Sequence, residues 1–118
     1  VMHYFQAGER TAREAIDLGF YISLARPLLR LSELQAVARG LPLDRIVLET
    51  DTAPQPFKAN RENWTEPHHT REVAEKIAEL HGKTVEEVKE TTTANVRRLL
   101  GERWAVVERH VDNTLWKA

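Results

Sequence analysis

Cysteine is absent from this chain of 118 residues, which removes a disulfide framework, thiolate zinc sites and a cysteine nucleophile. A reducing compartment is thereby permitted, and a cytoplasmic protein is the expectation. No apolar run approaches the ~18 residues that a membrane span needs. Residues 1–8 do not read as a secretory or basic targeting segment. An excess of charge of one sign is also missing: 17 Lys+Arg stand against 18 Asp+Glu, for a net charge of -1. The balance holds along the chain, with 7 basic and 7 acidic residues in 1–60 and 10 and 11 in 61–118. No basic field exists to hold nucleic acid by charge alone, so any such role has to be local chemistry at a site.

What remains is globular in composition, 42% hydrophobic and 30% charged, which argues against wholesale disorder. The length suits one modest core. Val1 leads directly into an apolar stretch, Met2-His3-Tyr4-Phe5, so the chain begins inside a structural element. A partial protein is the expectation, and a processed terminus the alternative.

Val1–Phe5 predicts a first strand, bounded by Gln6-Ala7-Gly8. Glu9–Leu18 predicts a helix with Ala12, Ala15 and Ile16 on one face and Gly19 just past its end. Phe20–Ala25 is a second strand, rich in aromatic and β-branched residues. After Pro27, Ser32-Glu33-Leu34-Gln35 has the form of a capping box, opening a helix with Leu34, Val37 and Ala38 inward that stops near Gly40. Arg45–Thr50 is the third strand, its near-continuous apolar run fitting a parallel strand covered on both faces. The order β-α-β-α-β implies parallel strands joined by crossover helices.

A long irregular stretch, residues 51–68, then follows a strand's C-terminal end, where long loops usually carry function. A helix near His69–His81 ends at Gly82, with Val73, Ile77 and Leu80 inward. Thr84-Val85-Glu86-Glu87 is a second capping box, opening a helix with Val85, Val88, Val96, Leu99 and Leu100. Trp104, Val107, Val111 and Leu115 are spaced for a last amphipathic helix, which makes 1–101 one region and 102–118 a helical tail.

His3 and Asp51 both fall at or near the C-terminal end of a strand, so both project at one face of the sheet. Taken singly, a strand histidine is more often a satisfied core residue, and Asp51 reads equally as a turn residue before Pro54. Together, imidazole and carboxylate are the N and O donors that suit zinc, manganese and related divalent ions. Strand alternation places Val47, Glu49 and Asp51 on one face. An inward Glu49 needs a partner, for which Arg26 is the candidate; outward, it simply meets solvent. Trp64 and Phe57 lie in the long loop, where they either line a substrate cleft or pack the loop. Arg61 meets either a phosphate or solvent. Of the remaining histidines, His68 and His69 read as solvated residues at a helix start, and His81 as a favourable charge at a helix end.

Five segments resemble, in order, the C-terminal part of the TatD family of metal-dependent hydrolases of the amidohydrolase superfamily. His3–Gly8 resembles the family's His-Cys-Phe-Ser-Gly strand end. Gly19–Ser23 is similar to Gly-x-Tyr-Ile-Ser, and Pro42–Pro54 to Pro-Leu-Asp-Arg-Leu-Leu-Leu-Glu-Thr-Asp-x-Pro. Asn63–Pro67 resembles an Asn-Glu-Pro loop, and Thr92–Leu100 the closing Thr-x-x-Asn-x-x-Arg-Leu-Phe helix. The resemblance implies a TIM-type (β/α)8 barrel with a two-metal site at its C-terminal face. About three β/α units and the terminal helices of that barrel would lie in this chain.

The implied activity is hydrolysis of phosphodiester bonds, those of DNA in particular, since several family members are deoxyribonucleases. His3 would be a metal ligand, and Asp51 a metal ligand that also handles the proton of the attacking water. Arg26, Arg61 and Trp64 are the candidate substrate contacts. The family's other ligands, a His-x-His, a Glu and a further His, have no counterpart here, and three strands cannot close a barrel of about 250 residues. The missing N-terminal barrel portion is therefore expected as a partner, and 1–118 alone is expected to be inactive. Zinc, magnesium and manganese fit the donors equally. The alternative is a non-catalytic half-barrel whose strand edges pair with another protein.

Overall fold

The computed structural model describes residues 1–60, 62 and 64–114. Two parallel strands, β1 (Ile22–Leu24) and β2 (Ile46–Leu48), pair in the register Ile22↔Ile46, Ser23↔Val47 and Leu24↔Leu48. Their crossover contains a 3₁₀ turn, Arg26–Leu29, and helix α2 (Ser32–Gly40). Helix α1 (Glu9–Asp17) precedes β1. After β2 come α3 (Thr70–His81), α4 (Val85–Leu100) and α5 (Trp104–Thr114). Residue Leu115, expected on the last helix, lies outside the described residues.

The first expected strand is a single bridge. Met2 pairs in parallel with Ile22: its N–H donates to the Tyr21 carbonyl at 2.8 Å, and its carbonyl accepts from Ser23 N–H at 3.0 Å. The run then breaks because Tyr4 takes a left-handed conformation, φ +49°, which no strand accommodates. The chain rejoins β1 at once, where Phe5 N–H donates to the Ser23 carbonyl at 3.0 Å and the Phe5 ring is buried. The expected order of three parallel lanes stands, with the outermost lane bent at His3-Tyr4.

Helices cover the lanes and form the core. Ile22, Leu24, Leu28, Ile46, Val73, Ile77 and Val88 are fully buried. Ala12 and Ala15 of α1, with Leu34 and Ala38 of α2, present the faces their spacing predicts. The stripe of α4 differs from expectation. Val88, Thr92 and Asn95 are buried, whereas Leu99 is exposed. Asn95 explains the polar stripe: its side-chain amide donates to the carbonyls of Leu43 (2.9 Å) and Ile46 (2.7 Å), and its oxygen accepts from Arg98. One amide thus closes a buried and a half-buried carbonyl at the entrance to β2.

The two capping boxes part company. At Thr84 the box is complete: Thr84 Oγ1 accepts from Glu87 N–H at 3.1 Å, and Glu87 accepts from Thr84 N–H at 2.8 Å. These bonds from Thr84 hold the Glu87 carboxyl below the usual carboxylate range. At Ser32 there is no cap. Leu31 occupies the N-cap position and packs against the core, and Gln35 donates instead to the Leu28 carbonyl at 2.8 Å, finishing the preceding 3₁₀ turn. His81 also does more than sit at a helix end, because its Nε2 bonds the Ala38 carbonyl at 2.8 Å and ties α3 to α2.

Urea denaturation checks these assignments. Thr84→Ala should cost about 1 kcal/mol, while Ser32→Ala should stay within about 0.5 kcal/mol of the parent. Equal losses would contradict the assignment of caps. Asn95→Ala should cost about 2–3 kcal/mol, since a buried and a half-buried carbonyl lose their donor. A loss below about 0.5 kcal/mol would show those carbonyls satisfied in another way.

Candidate metal centre

The bend at Tyr4 and the end of β2 face each other across the sheet. Beyond β2 the backbone stays extended through Glu49, whose N–H donates to the Leu24 carbonyl at 3.0 Å, and then turns at Asp51, φ +51°. Asp51 tolerates this left-handed conformation better than most residues. The turn brings Asp51 beside His3, with His3 Nε2 lying 3.1 Å from Asp51 Oδ1. His3 Nδ1 lies 3.0 Å from Glu49 Oε2. The three side chains offer donor atoms within 4.8 Å of one another.

Glu49 is held from two segments, the Met2–Phe5 lane and β1. Its Oε2 accepts from Tyr4 N–H at 3.2 Å and from the Ser23 hydroxyl, and lies within hydrogen-bond distance of His3 Nδ1. Oε1 sits 2.9 Å from His3 Nδ1 but is aligned too poorly to accept from it, so the bond belongs to Oε2. The Glu49 side chain is only 16% exposed, against 67% for His3 and 44% for Asp51. The cluster is therefore open on the His3–Asp51 side and closed on the Glu49 side. Burial pushes the Glu49 carboxyl up, but the bonds from Ser23 and Tyr4 and the neighbouring His3 more than offset it, leaving it below the usual carboxylate range.

The donor chemistry fits a divalent ion at Nε2 and Asp51. Two adjacent ligands with bonds of about 2.0–2.2 Å lie roughly 3 Å apart, the separation seen here. A single ion cannot bond both ring nitrogens, so the Nδ1 side, where Glu49 sits, is a different position from the Nε2 side.

The other candidates are dispersed. Arg26 does not pair with Glu49, contrary to expectation. Its Nη1 donates to Thr65 Oγ1 at 3.1 Å, and its Nε lies 3.3 Å from Glu72 Oε2, so it pins the long loop to α3. The nearer groups of His3, Tyr4 and Ser23 serve Glu49 Oε2 in its place, and the buried Oε1 has no hydrogen-bond partner among the described residues. Arg26 also lines a cavity of about 290 Å³ with Tyr4, Arg30, Thr50 and Thr65. Trp64 lines another, of about 400 Å³, with Glu62, Glu66, His68 and His69. Phe57 is 80% exposed. Arg61 lies outside the described residues, as does Asn63 of the loop motif. His68 is exposed, whereas His69 Nδ1 accepts from Glu66 N–H at 2.7 Å and helps to start the turn before α3. Sequence reasoning marked Glu49 as a buried carboxylate but not its link to His3. The signal available was the two-residue step between Glu49 and Asp51.

Parallel strand ends that gather an imidazole and carboxylates, backed by helices, define an α/β protein with a candidate metal centre. The chain belongs to the TatD related DNase family, whose profile matches residues 1–101. It is 41% identical over 104 residues to the uncharacterized metal-dependent hydrolase YcfH of Escherichia coli, covering 84% of this chain and 38% of that protein. It is 36% identical over 100 residues to the human deoxyribonuclease TATDN3, covering 84% of this chain and 35% of that protein. Among solved structures, the TatD homologue YJJV of Escherichia coli shares the fold, with a TM-score of 0.68 and 24% identity over 80% of this chain and 38% of that one. The chain thus spans about two fifths of the length of the relatives it matches. Among the described residues no helix is long and apolar enough to cross a membrane.

The depressed Glu49 carboxyl makes a pH prediction. A group whose folded pKa lies below its unfolded value of about 4.3 stabilises fully above that value and loses its contribution as the pH falls through the folded pKa. The stability difference between the parent and Glu49→Gln should be constant above about pH 5.5 and shrink steadily below about pH 4.3. A difference that is flat from neutral to acid pH would contradict the assignment.

Proposed function

We propose that this chain supplies His3 and Asp51 to the divalent-metal centre of a phosphodiester hydrolase whose substrate is DNA. The observation that carries the reading is the approach of His3 Nε2 to Asp51 Oδ1, 3.1 Å, at strand ends within the family-matched region. The relatives named as metal-dependent hydrolases and as a deoxyribonuclease support the same chemistry. The rest of a (β/α)8 barrel would complete the site. In support, β2 is the edge lane among the described residues, and a cavity of about 510 Å³ opens beside it, lined by Leu48, Ala74 and Val96 among others.

His3 would hold the ion through Nε2 and Asp51 through its carboxylate. The ion, when bound, supplies polarisation of a phosphoryl oxygen and acidification of a water molecule. Asp51 is exposed enough to meet a water molecule, and its carboxylate would be the base that takes the proton of that water. Arg26, Arg61 and Trp64 are candidate substrate contacts in this reading. Arg26 would meet a phosphate only by sharing its guanidinium with Glu72. Zinc, magnesium and manganese all remain compatible with the donors, and a cytoplasmic location is part of the same reading.

A cleavage assay on a labelled DNA oligonucleotide tests it, with Zn²⁺, Mg²⁺ or Mn²⁺ supplied in turn. Residues 1–118 alone should not cleave, because two ligands hold an ion poorly. The chain joined to an N-terminal barrel portion from a TatD relative should cleave, and Asp51→Asn in that protein should lower kcat by about 10²–10⁴-fold. Full activity of the Asp51→Asn protein would sink the reading. No cleavage by the joined protein, together with a stable complex with another protein, would favour the interaction module.

A further inference from the structure

We propose that Glu49 is a positioning residue that fixes the tautomer of His3, so that Nε2 is presented as a bare donor on the Asp51 side; the proposal rests on the metal-centre reading above. Groups that can only donate decide the matter. Tyr4 N–H is one, and it points at Glu49 Oε2 at 3.2 Å, where the Ser23 hydroxyl donates as well. Glu49 Oε2 is therefore an acceptor. His3 Nδ1, 3.0 Å from the same oxygen, must then carry the hydrogen. In the neutral ring this leaves Nε2 with its lone pair, facing Asp51 at 3.1 Å.

The three-residue cluster accordingly divides into two ligands and one orienter. Ligating histidines characteristically donate their other N–H to a carboxylate or carbonyl, which orients the ring and raises its basicity. Glu49 suits that task because two donors besides the ring immobilise it: the backbone N–H of Tyr4 and the side chain of Ser23 on β1. The left-handed turn at Tyr4 has a purpose on this account. It aims an amide N–H at the carboxylate that holds the preceding residue's ring.

Glu49→Ala makes a directional test. It removes the acceptor at Nδ1, and the hydrogen is then drawn to Nε2, where the Asp51 carboxylate lies 3.1 Å away. The readout is the ¹⁵N spectrum of the ¹⁵N-histidine-labelled chain joined to an N-terminal barrel portion from a TatD relative, at a pH where imidazole is neutral, with His3→Ala identifying the His3 signals, followed by titration with ZnCl₂. The parent should show His3 as the Nδ1–H tautomer, with Nε2 shifting as Zn²⁺ is added. Glu49→Ala should show the Nε2–H tautomer and about 10–100-fold weaker Zn²⁺ binding. Ser23→Ala, which leaves the Glu49–His3 bond in place, should keep the parent tautomer.

An Nε2–H tautomer in the parent overturns the proposal without reference to any variant, so the test survives a Glu49→Ala chain that does not fold. An unchanged tautomer in a folded Glu49→Ala chain overturns it as well. An Nδ1–H tautomer whose Nε2 signal ignores Zn²⁺ overturns instead the metal-centre reading on which the proposal rests.

Discussion

A single shielded carboxylate, Glu49, joins the strand ends of this protein, and the geometry of the open face depends on it. Its acceptor oxygen collects a ring N–H, a backbone N–H and a hydroxyl from the Met2–Phe5 lane and from β1, while its own backbone extends β2. Three parallel lanes are thereby stitched at their C-terminal ends by one side chain. Burial raises the cost of charge there, and the surrounding donors outweigh that cost, which is the condition for keeping a shielded carboxylate ionised. Glu49 and Asp51 are two residues apart, and the left-handed turn at Asp51 brings the second carboxylate beside His3. His3 is caught between them by its two nitrogens.

The opposite, N-terminal end of β2 has its own polar tie. Asn95 of α4 closes the carbonyls of Leu43 and Ile46, so a helix is hydrogen-bonded to the strand's entrance while Glu49 secures its exit. Between these two ties the strand is apolar and shielded by α3 and α4, with Ile46 and Val47 buried. Short strands of three residues have few ladder bonds to hold their register. Side-chain ties at both ends specify it where the ladder does not.

Much of the fold was legible because its signals are local. Gly19 and Gly82 mark helix ends in left-handed conformations, and Thr84 with Glu87 forms the box its spacing implies. The alternation of Val47, Glu49 and Asp51 put the carboxylates on one face, and the placement of His3 near a strand end brought it to the same side. What escaped was non-local. An aromatic, apolar pentapeptide predicts extended backbone, and only the hydrogen bond to Glu49, 45 residues away, accounts for the turn at Tyr4. Ser32 has the right neighbours for a cap, yet burial of Leu31 and the Gln35–Leu28 bond set the helix start instead. Arg26 was matched to Glu49 by charge, although Glu72 and Thr65 lie closer to it. Asn95 was visible as part of a motif, but nothing local indicates that its amide serves two carbonyls some 50 residues earlier.

The division of the cluster into ligands and orienter is the central claim, and anomalous diffraction tests it most directly. Crystals of the chain joined to an N-terminal barrel portion, grown with Zn²⁺ and measured at the zinc edge, would locate the ion. The account predicts an anomalous peak within bonding distance of His3 Nε2 and of an Asp51 carboxylate oxygen, with Glu49 bonded to Nδ1 and not to the ion. A peak bonded to Nδ1 or to the Glu49 carboxylate would contradict it.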